Sequence, residues 1–394
     1  MDAAKFQDLV DWLIDGARSA ATPPQMMAEC CERLVKLGVP LWRVGVFIRT
    51  LHPEIFGRSF VWRPGADVEI GSVDYSFLDS PMFRDSPLAI VVQQGVPVRG
   101  NPQGHEAGRF PILVDLRDEG VTDYVALPMM FIDRAINVSS WTTQQPGGFT
   151  EQQVDAIRAL IPALARYIEV VSLRRTASML LDTYVGNRAG ERILAGQIRR
   201  GHTDTMHAAI WLSDLRGFTP LSDRLPAEAV VEILNHYFDC QVTAIREQGG
   251  EVLKFMGDGL LAVFPIAEQD GDPTEVCGRV LRAARASRAS VDALEYPFGD
   301  SVERFRFGVA LHVGKLLYGN IGGGNRLDFT CIGPAVNLAA RLEKIASNLK
   351  RTVVASEAFA GVCGSAWADL GAFPIAGFSN VQRVFGLRDE VPGQ

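Results

Sequence analysis

Two carboxylates in the second half of this sequence stand where chemistry could use them. Asp214 ends the apolar run AAIWLSDL at 208–215, and Asp258 sits in an Asp-Gly pair between the two apolar arms of VLKFMGDGLLAVF at 252–264. A carboxylate at a strand end or in a tight turn is exposed yet held by rigid elements. Two that converge could hold a pair of Mg²⁺ ions through hard oxygen ligands, whereas each taken singly is ordinary turn chemistry. Gly217, Phe218 and Thr219 follow Asp214 and open a loop into a helix, where free backbone N–H groups can hold phosphate oxygens. Lys254 lies four residues before Asp258 in an otherwise apolar strand. Such a lysine is an edge charge or a polar handle in a pocket. Asn337 and Arg341 are spaced i, i+4 and share one helix face, which on their own reads as surface or capping chemistry.

These residues need elements to position them. Pro226 opens a helix running to Gly249-Gly250, with Val230, Ile233, Leu234, Tyr237, Phe238, Val242 and Ile245 at helical period. The Asp258-Gly259 pair predicts a hairpin with a type I′ turn. A helix is expected over about 274–294. FRFGVALHV at 305–313 alternates strictly, Gly322-Gly323-Gly324 turns into the strand LDFTCIG, and Pro334 opens the helix AVNLAARLEKIA. The triple glycine precedes a strand, so it is a hairpin turn and not a dinucleotide loop. The order β-α-β-β-α-β-β-α predicts one sheet with helices packed on it. Upstream, helices are expected at 3–18 and 24–38 and strands at 42–50, 58–64, 123–131 and 135–143, with a Pro/Gly-rich middle at about 80–112. A long helix follows from Phe149 to about 184. Its stripe of Val154, Ile157, Leu160, Ile161, Leu164, Ile168 and Val171 is expected to pair with its twin in a second chain. The basic run Arg188, Arg192, Arg199 and Arg200 in the connecting stretch reads as a solvated helix face.

Length and composition bound the reading. A chain of 394 residues, 47% hydrophobic and 22% charged, accommodates two domains or three, each with its own core. The net charge of −7 disfavours nucleic acid and anionic lipid as partners. Six cysteines without zinc spacing read as reduced thiols, no signal peptide is evident, and no run of apolar residues reaches 18. The expectation is therefore a cytoplasmic protein with neither nucleic acid nor membrane as partner.

The whole set is more specific than its parts. WLSDLRGFTPLSD, GEVLKFMGDGLLAVF, RFGVALHVG and IGPAVNLAARLE, in this order and spacing, resemble the catalytic domain of the class III adenylate and guanylate cyclases over about 205–365. The resemblance implies a ferredoxin-like palm that works as a head-to-tail homodimer with composite active sites. It implies that Asp214 and Asp258, with the Leu215 carbonyl, hold two Mg²⁺ or Mn²⁺ ions, and that Gly217, Phe218 and Thr219 cradle the triphosphate. It implies that Lys254 and Thr330 read the base, Asn337 orients the ribose and Arg341 stabilises the transition state. Lys315 stands where many members carry a triphosphate-binding arginine. The metal aspartates would come from one chain and Lys254, Thr330, Asn337 and Arg341 from the other. Lys254 donates to adenine N1 and a hydroxyl accepts from N6, so the expected substrate is ATP. Threonine at 330, where aspartate is commoner, resembles the bicarbonate-responsive subgroup. A lysine that many members carry near the C-terminal strand has no match around 377–380. The different-class alternative is a nucleotide-binding signalling module without turnover. A diguanylate cyclase is excluded because its GG[DE][DE]F run is missing.

The order helix, helix, antiparallel strands, helix over about 1–170, closed by GFTEQQVDAIRAL, resembles the GAF fold of small-ligand sensors, the alternatives being a PAS-like sensor or a purely structural dimerisation domain. The expected organisation is α+β throughout: a GAF-like sensor with a small-molecule ligand at 1–170, a helical linker at 171–206 and the catalytic domain at 207–394.

Overall fold

The computed structural model describes residues 2–52, 55–104, 108–267, 271–298, 301–324 and 326–390, with backbone alone at 296–298 and 301–304. The chain divides into two compact α+β units, Met1–Met179 and Leu180–Gln394.

The first unit runs α1 (Ala3–Ile14), α2 (Pro23–Lys36), β1 (Arg43–Arg49), β2 (Ile55–Trp62), β3 (Glu69–Asp74), α3 (Pro81–Arg84), α4 (Pro87–Gln94), β4 (Val98–Gly100), α5 (Pro111–Asp118), β5 (Asp123–Met130), β6 (Ile136–Thr143) and α6 (Glu151–Val185), the last crossing into the second unit after Met179. Its strands form a six-stranded antiparallel sheet in the order β3-β2-β1-β6-β5-β4. Strand alternation sorts the core. Val125, Leu127 and Met129 pack with α1, α2 and α6, while Tyr124 and Ala126 face a smaller cluster with α4 and α5. The Pro/Gly-rich middle holds the short β4 and three short helices, and β3 precedes it with alternate residues exposed. The expected pairing of the α6 stripe with a twin is corrected. Val154, Ile157, Leu160, Leu164 and Ile168 are buried against the unit's own sheet and α2, so that face is already covered.

The second unit continues with α7 (Asn187–Leu194), β7 (Thr203–Leu215), α8 (Phe218–Ser222), α9 (Ala227–Glu247), β8 (Glu251–Met256), β9 (Gly259–Pro265), α10 (Pro273–Asp292), β10 (Glu295–Phe298), β11 (Ser301–Arg304), β12 (Phe307–Gly323), β13 (Arg326–Ile332), α11 (Pro334–Asn348), β14 (Val353–Ser356), α12 (Glu357–Cys363), β15 (Trp367–Phe373) and β16 (Gln382–Leu387). Its main sheet follows the order β15-β16-β14-β12-β7-β9-β8, with β13 paired to the far half of β12. β10 and β11 form a separate hairpin. Side chains of α9 and α10 pack with Trp211, Leu260, Ala262 and Phe264. Ala335 and Ala339 of α11 pack with Ile210, Leu261 and Val263, from alternate positions of the same strands. Part of the stretch expected as a linker is folded here. α7 puts Ala189 in the core beside Leu253 and Tyr318, and its Arg188 and Arg192 pair with Glu251 and Asp204 instead of lying free in solvent.

Candidate active site

β7 is the central strand that sets the site. It pairs with β9 on one side and β12 on the other, so Asp214 lies between Gly259 and Gly308. The β8–β9 turn then brings Asp258 beside it. Its geometry differs from the expected one. Met256 pairs with Gly259, so the two turn residues are Gly257 and Asp258, and Gly257 alone has positive φ, at 68°. A glycine with positive φ at the first central position and an ordinary second residue matches a type II′ loop, whereas type I′ requires positive φ at both. Gly259 belongs to β9. A side chain there would press on the Ser213 carbonyl at 3.0 Å and Asp214 Oδ1 at 3.4 Å.

The two carboxylates lie within hydrogen-bonding reach of each other. Burial first, then the charges of Asp258 and Glu343, push the Asp214 carboxyl up to about 6, against the opposing pull of Arg216. Two acids that repel and are half-desolvated make a strong sink for a hard cation. No cluster of three or more His, Cys, Asp or Glu with metal-ligand geometry occurs among the described residues, so the oxygen donors at this point are the two aspartates and the backbone around Leu215. Beyond Leu215, Gly217 takes a left-handed conformation (φ 72°) as the N-cap of α8. Thr219 is exposed and Phe218 leans on the core beneath. The first turn of a helix leaves its N–H groups without intrahelical partners, and here they follow the metal-ligand candidate directly.

A second group assembles around Lys254. The β12–β13 extension lies against β8, with Leu253, Phe329 and Cys331 in one cluster. Lys254 Nζ donates to Asp328 Oδ2 at 3.1 Å. Thr330, two residues along β13 and therefore on the same face, is 6% exposed, and its Oγ1 has no hydrogen-bond partner among the described residues. The neighbouring Cys331 thiol is pushed up to about 11 by burial, with the Lys254 charge opposing. Asn337 and Arg341 are exposed on α11, as their spacing implied, and Arg341 makes no ion pair with any described residue. Lys315 is exposed opposite His207, seven residues along β7 from Asp214, about 23 Å of strand. The chain thus brings Asp214 to Asp258 and Lys254 to Thr330, and it leaves Lys315 apart from the aspartates.

Four side chains, Arg216, Glu343, Asp328 and Tyr237, were not assigned to the site from the sequence. Arg216 Nη1 bonds Glu343 Oε1 at 2.5 Å, tying the end of β7 to α11, and a Cβ at Gly308 would collide with the same guanidinium. Asp328 shares the Thr330 face by the period of 2 in LDFT, a signal that was readable. Tyr237 is wholly buried near both aspartates, and burial pushes its phenol well above the ordinary value, so it stays protonated. His312 is buried with Nδ1 2.8 Å from Ser356 Oγ, and burial lowers it to about 4.

Residues 202–377 match the family described as the adenylate and guanylate cyclase catalytic domain. The chain is 29% identical over 161 residues to an adenylate cyclase of Anabaena cylindrica, a match covering 41% of this chain and 31% of that protein. It is 29% identical over 153 residues to the terminal-differentiation-specific adenylate cyclase of Dictyostelium discoideum, covering 38% of this chain and 7% of that protein. The chain therefore spans well under two thirds of these relatives. Among solved structures, the adenylyl cyclase CyaB from P. aeruginosa aligns with a TM-score of 0.40 at 24% identity, over 48% of this chain and 97% of that one. The guanylyl cyclase Cya2 aligns with a TM-score of 0.39 at 25% identity, over 47% and 93%.

Proposed function

We propose that this chain, whose residues 202–377 match the adenylate and guanylate cyclase catalytic domain, converts ATP to 3′,5′-cyclic AMP and pyrophosphate. The observation that carries the reading is the Asp214–Asp258 pair, two mutually repelling carboxylates at the end of the central strand. Two Mg²⁺ or Mn²⁺ ions held there, with the Leu215 carbonyl as a further ligand, would acidify the 3′-hydroxyl and neutralise the leaving pyrophosphate. The N–H groups at Gly217, Phe218 and Thr219 hold the triphosphate at the mouth of this site. Arg341 offsets charge building on the α-phosphate, a role in which preorganised electrostatics dominates. Asn337, one turn before it, orients the ribose.

Lys254 and the unpartnered Thr330 hydroxyl support adenine as the base, one donating to N1 and the other accepting from N6. The Asp328 carboxylate beside Lys254 favours a second reading, a guanylate cyclase, because guanine presents N–H donors at N1 and N2 that a carboxylate accepts. The charges that act most on Asp214 are Asp258, Glu343 and Arg216, not Lys254 or Arg341. This supports a composite site in which a second copy supplies the base- and phosphate-binding groups. The first unit is read as a GAF-like sensor, supported by its antiparallel sheet with helices on both faces. The second is read as a palm, supported by α9 and α10 on one face of the sheet and α11 on the other. No helix among the described residues is long and apolar enough to cross a membrane. A cytoplasmic location is part of this reading, supported by the ATP substrate it proposes.

The test is to incubate the pure chain with ATP or GTP and Mg²⁺ or Mn²⁺ and identify products by mass. Cyclic AMP with pyrophosphate is the expected result. Lys254→Glu combined with Thr330→Cys should cut ATP turnover by roughly 10²-fold, the loss of two base contacts. A double variant with undiminished preference for ATP would place base selection elsewhere.

A further inference from the structure

The first unit contains a cavity between β1, β2 and β6 on one side and α2 and α6 on the other. We propose that this cavity binds one amphipathic monocarboxylate, its apolar chain inside and its carboxylate between Arg58 and Arg175. The proposal rests on the first unit alone and stands or falls independently of the cyclase reading.

Both walls share one polarity. On the sheet, Val44, Val46 and Ile48 point inward at period 2, and Arg58 sits directly opposite Ile48 at the end of that row. On α6, Leu164, Ile168 and Val171 line the cavity at helical spacing, and the next residue on that face is Arg175. Each apolar row therefore leads to an arginine, and both arginines line the same cavity, with Met179 one turn beyond Arg175 on α6. The Arg58 guanidinium is held below its ordinary value by burial and then by the charge of Arg175. Neither arginine forms an ion pair or hydrogen bond with any described residue, although Thr50, Ser172 and Thr176 also line the cavity. Two guanidinium groups lining one cavity with no acid between them among the described residues make an anion site, and arginine is suited to carboxylates by its planar fork of donors. Among the described residues no Asp or Glu lines the cavity. Burial pushes the Cys30 thiol up to about 12 and Cys31 well above its ordinary value, so both stay neutral. A neutral apolar pocket with a paired cationic mouth fits an alkyl or aryl chain ending in one carboxylate, and not a nucleotide, whose polar base and ribose would lie unpaired against Trp141 and Leu164.

The experiment titrates the full chain with monomeric decanoate, below its micelle concentration, by isothermal calorimetry. Saturable binding of one decanoate per chain is expected. Arg58→Gln with Arg175→Gln should weaken it by about tenfold or more, the value of charge-assisted hydrogen bonds. Decanol should bind the parent protein more weakly than decanoate and be indifferent to the substitutions. Arg175 is exposed, so Arg175→Gln alone tests the carboxylate contact if the double variant folds poorly. Equal decanoate affinity in parent and variants would overturn the proposal, as would the absence of saturable binding. Attachment to phosphatidylglycerol vesicles without binding of monomeric decanoate would also overturn it.

Discussion

At the scale of single residues, Asp214 carries a measurable signature of the site. Its carboxyl, ordinarily near 3.8, is raised to about 6 mainly by burial, with Asp258 and then Glu343 adding to it. A raised folded-state value means that the protonated form is favoured by folding. That stabilisation is complete below about pH 4 and is lost as pH rises through about 6. Asn mimics the protonated acid. Asp214→Asn should therefore melt higher than the parent at pH 7.5 without metal, and the two should converge near pH 4. Mn²⁺ should raise the melting temperature of the parent and not that of the variant. A variant no more stable than the parent at pH 7.5 would mean that burial and neighbouring charge do not raise the Asp214 carboxyl. Asp214, Asp258 and Lys254 were legible in the sequence because strand ends, turns and apolar strands make polar residues conspicuous. Glu343 was not, because a glutamate in the helix segment ARLEK looks solvated until α11 packs it, 7% exposed, on Arg216.

At the scale of elements, periodicity identified the sheet strands and long helices that hold the site. Its limits are physical. β3 and β4 were missed because β3 is largely exposed and β4 spans only Val98–Gly100, so neither displays buried alternation over a useful length. The Asp-Gly pair announced the hairpin correctly but misplaced its turn by one residue, since Gly257 also offers positive φ and the Met256–Gly259 pairing sets the register. Periodicity also shows that a helix has an apolar face without saying what covers it. The α6 stripe meets its own sheet, so Leu160, fully buried, should behave as a core residue. Leu160→Ala should destabilise the first unit by about 2–5 kcal/mol. Denaturant titrations should give the same loss at every protein concentration. A loss that grows with dilution would restore the twin-helix pairing.

At the scale of the whole molecule, the division after Met179 leaves α7 whole within the second unit. A cut near 200 removes α7, exposing the cluster that Ala189 and Val185 help to cover. A fragment of residues 180–394 should therefore melt cooperatively and above a 200–394 fragment. If the first unit regulates turnover, activity per dimer of the longer fragment should differ from that of the full chain even where both are fully dimeric. Equal activity would leave the first unit a dimerisation device. The central claim is that one active site draws its aspartates from one copy and its arginine from another. Asp258→Ala and Arg341→Ala should each lower turnover by roughly 10²-fold or more when pure. Mixed in equal amounts, half the dimers are heterodimers, each with one site carrying both lesions and one site intact. Activity should then return to about a quarter of the parent value. An inactive mixture in which native mass spectrometry shows the heterodimer would contradict the shared site.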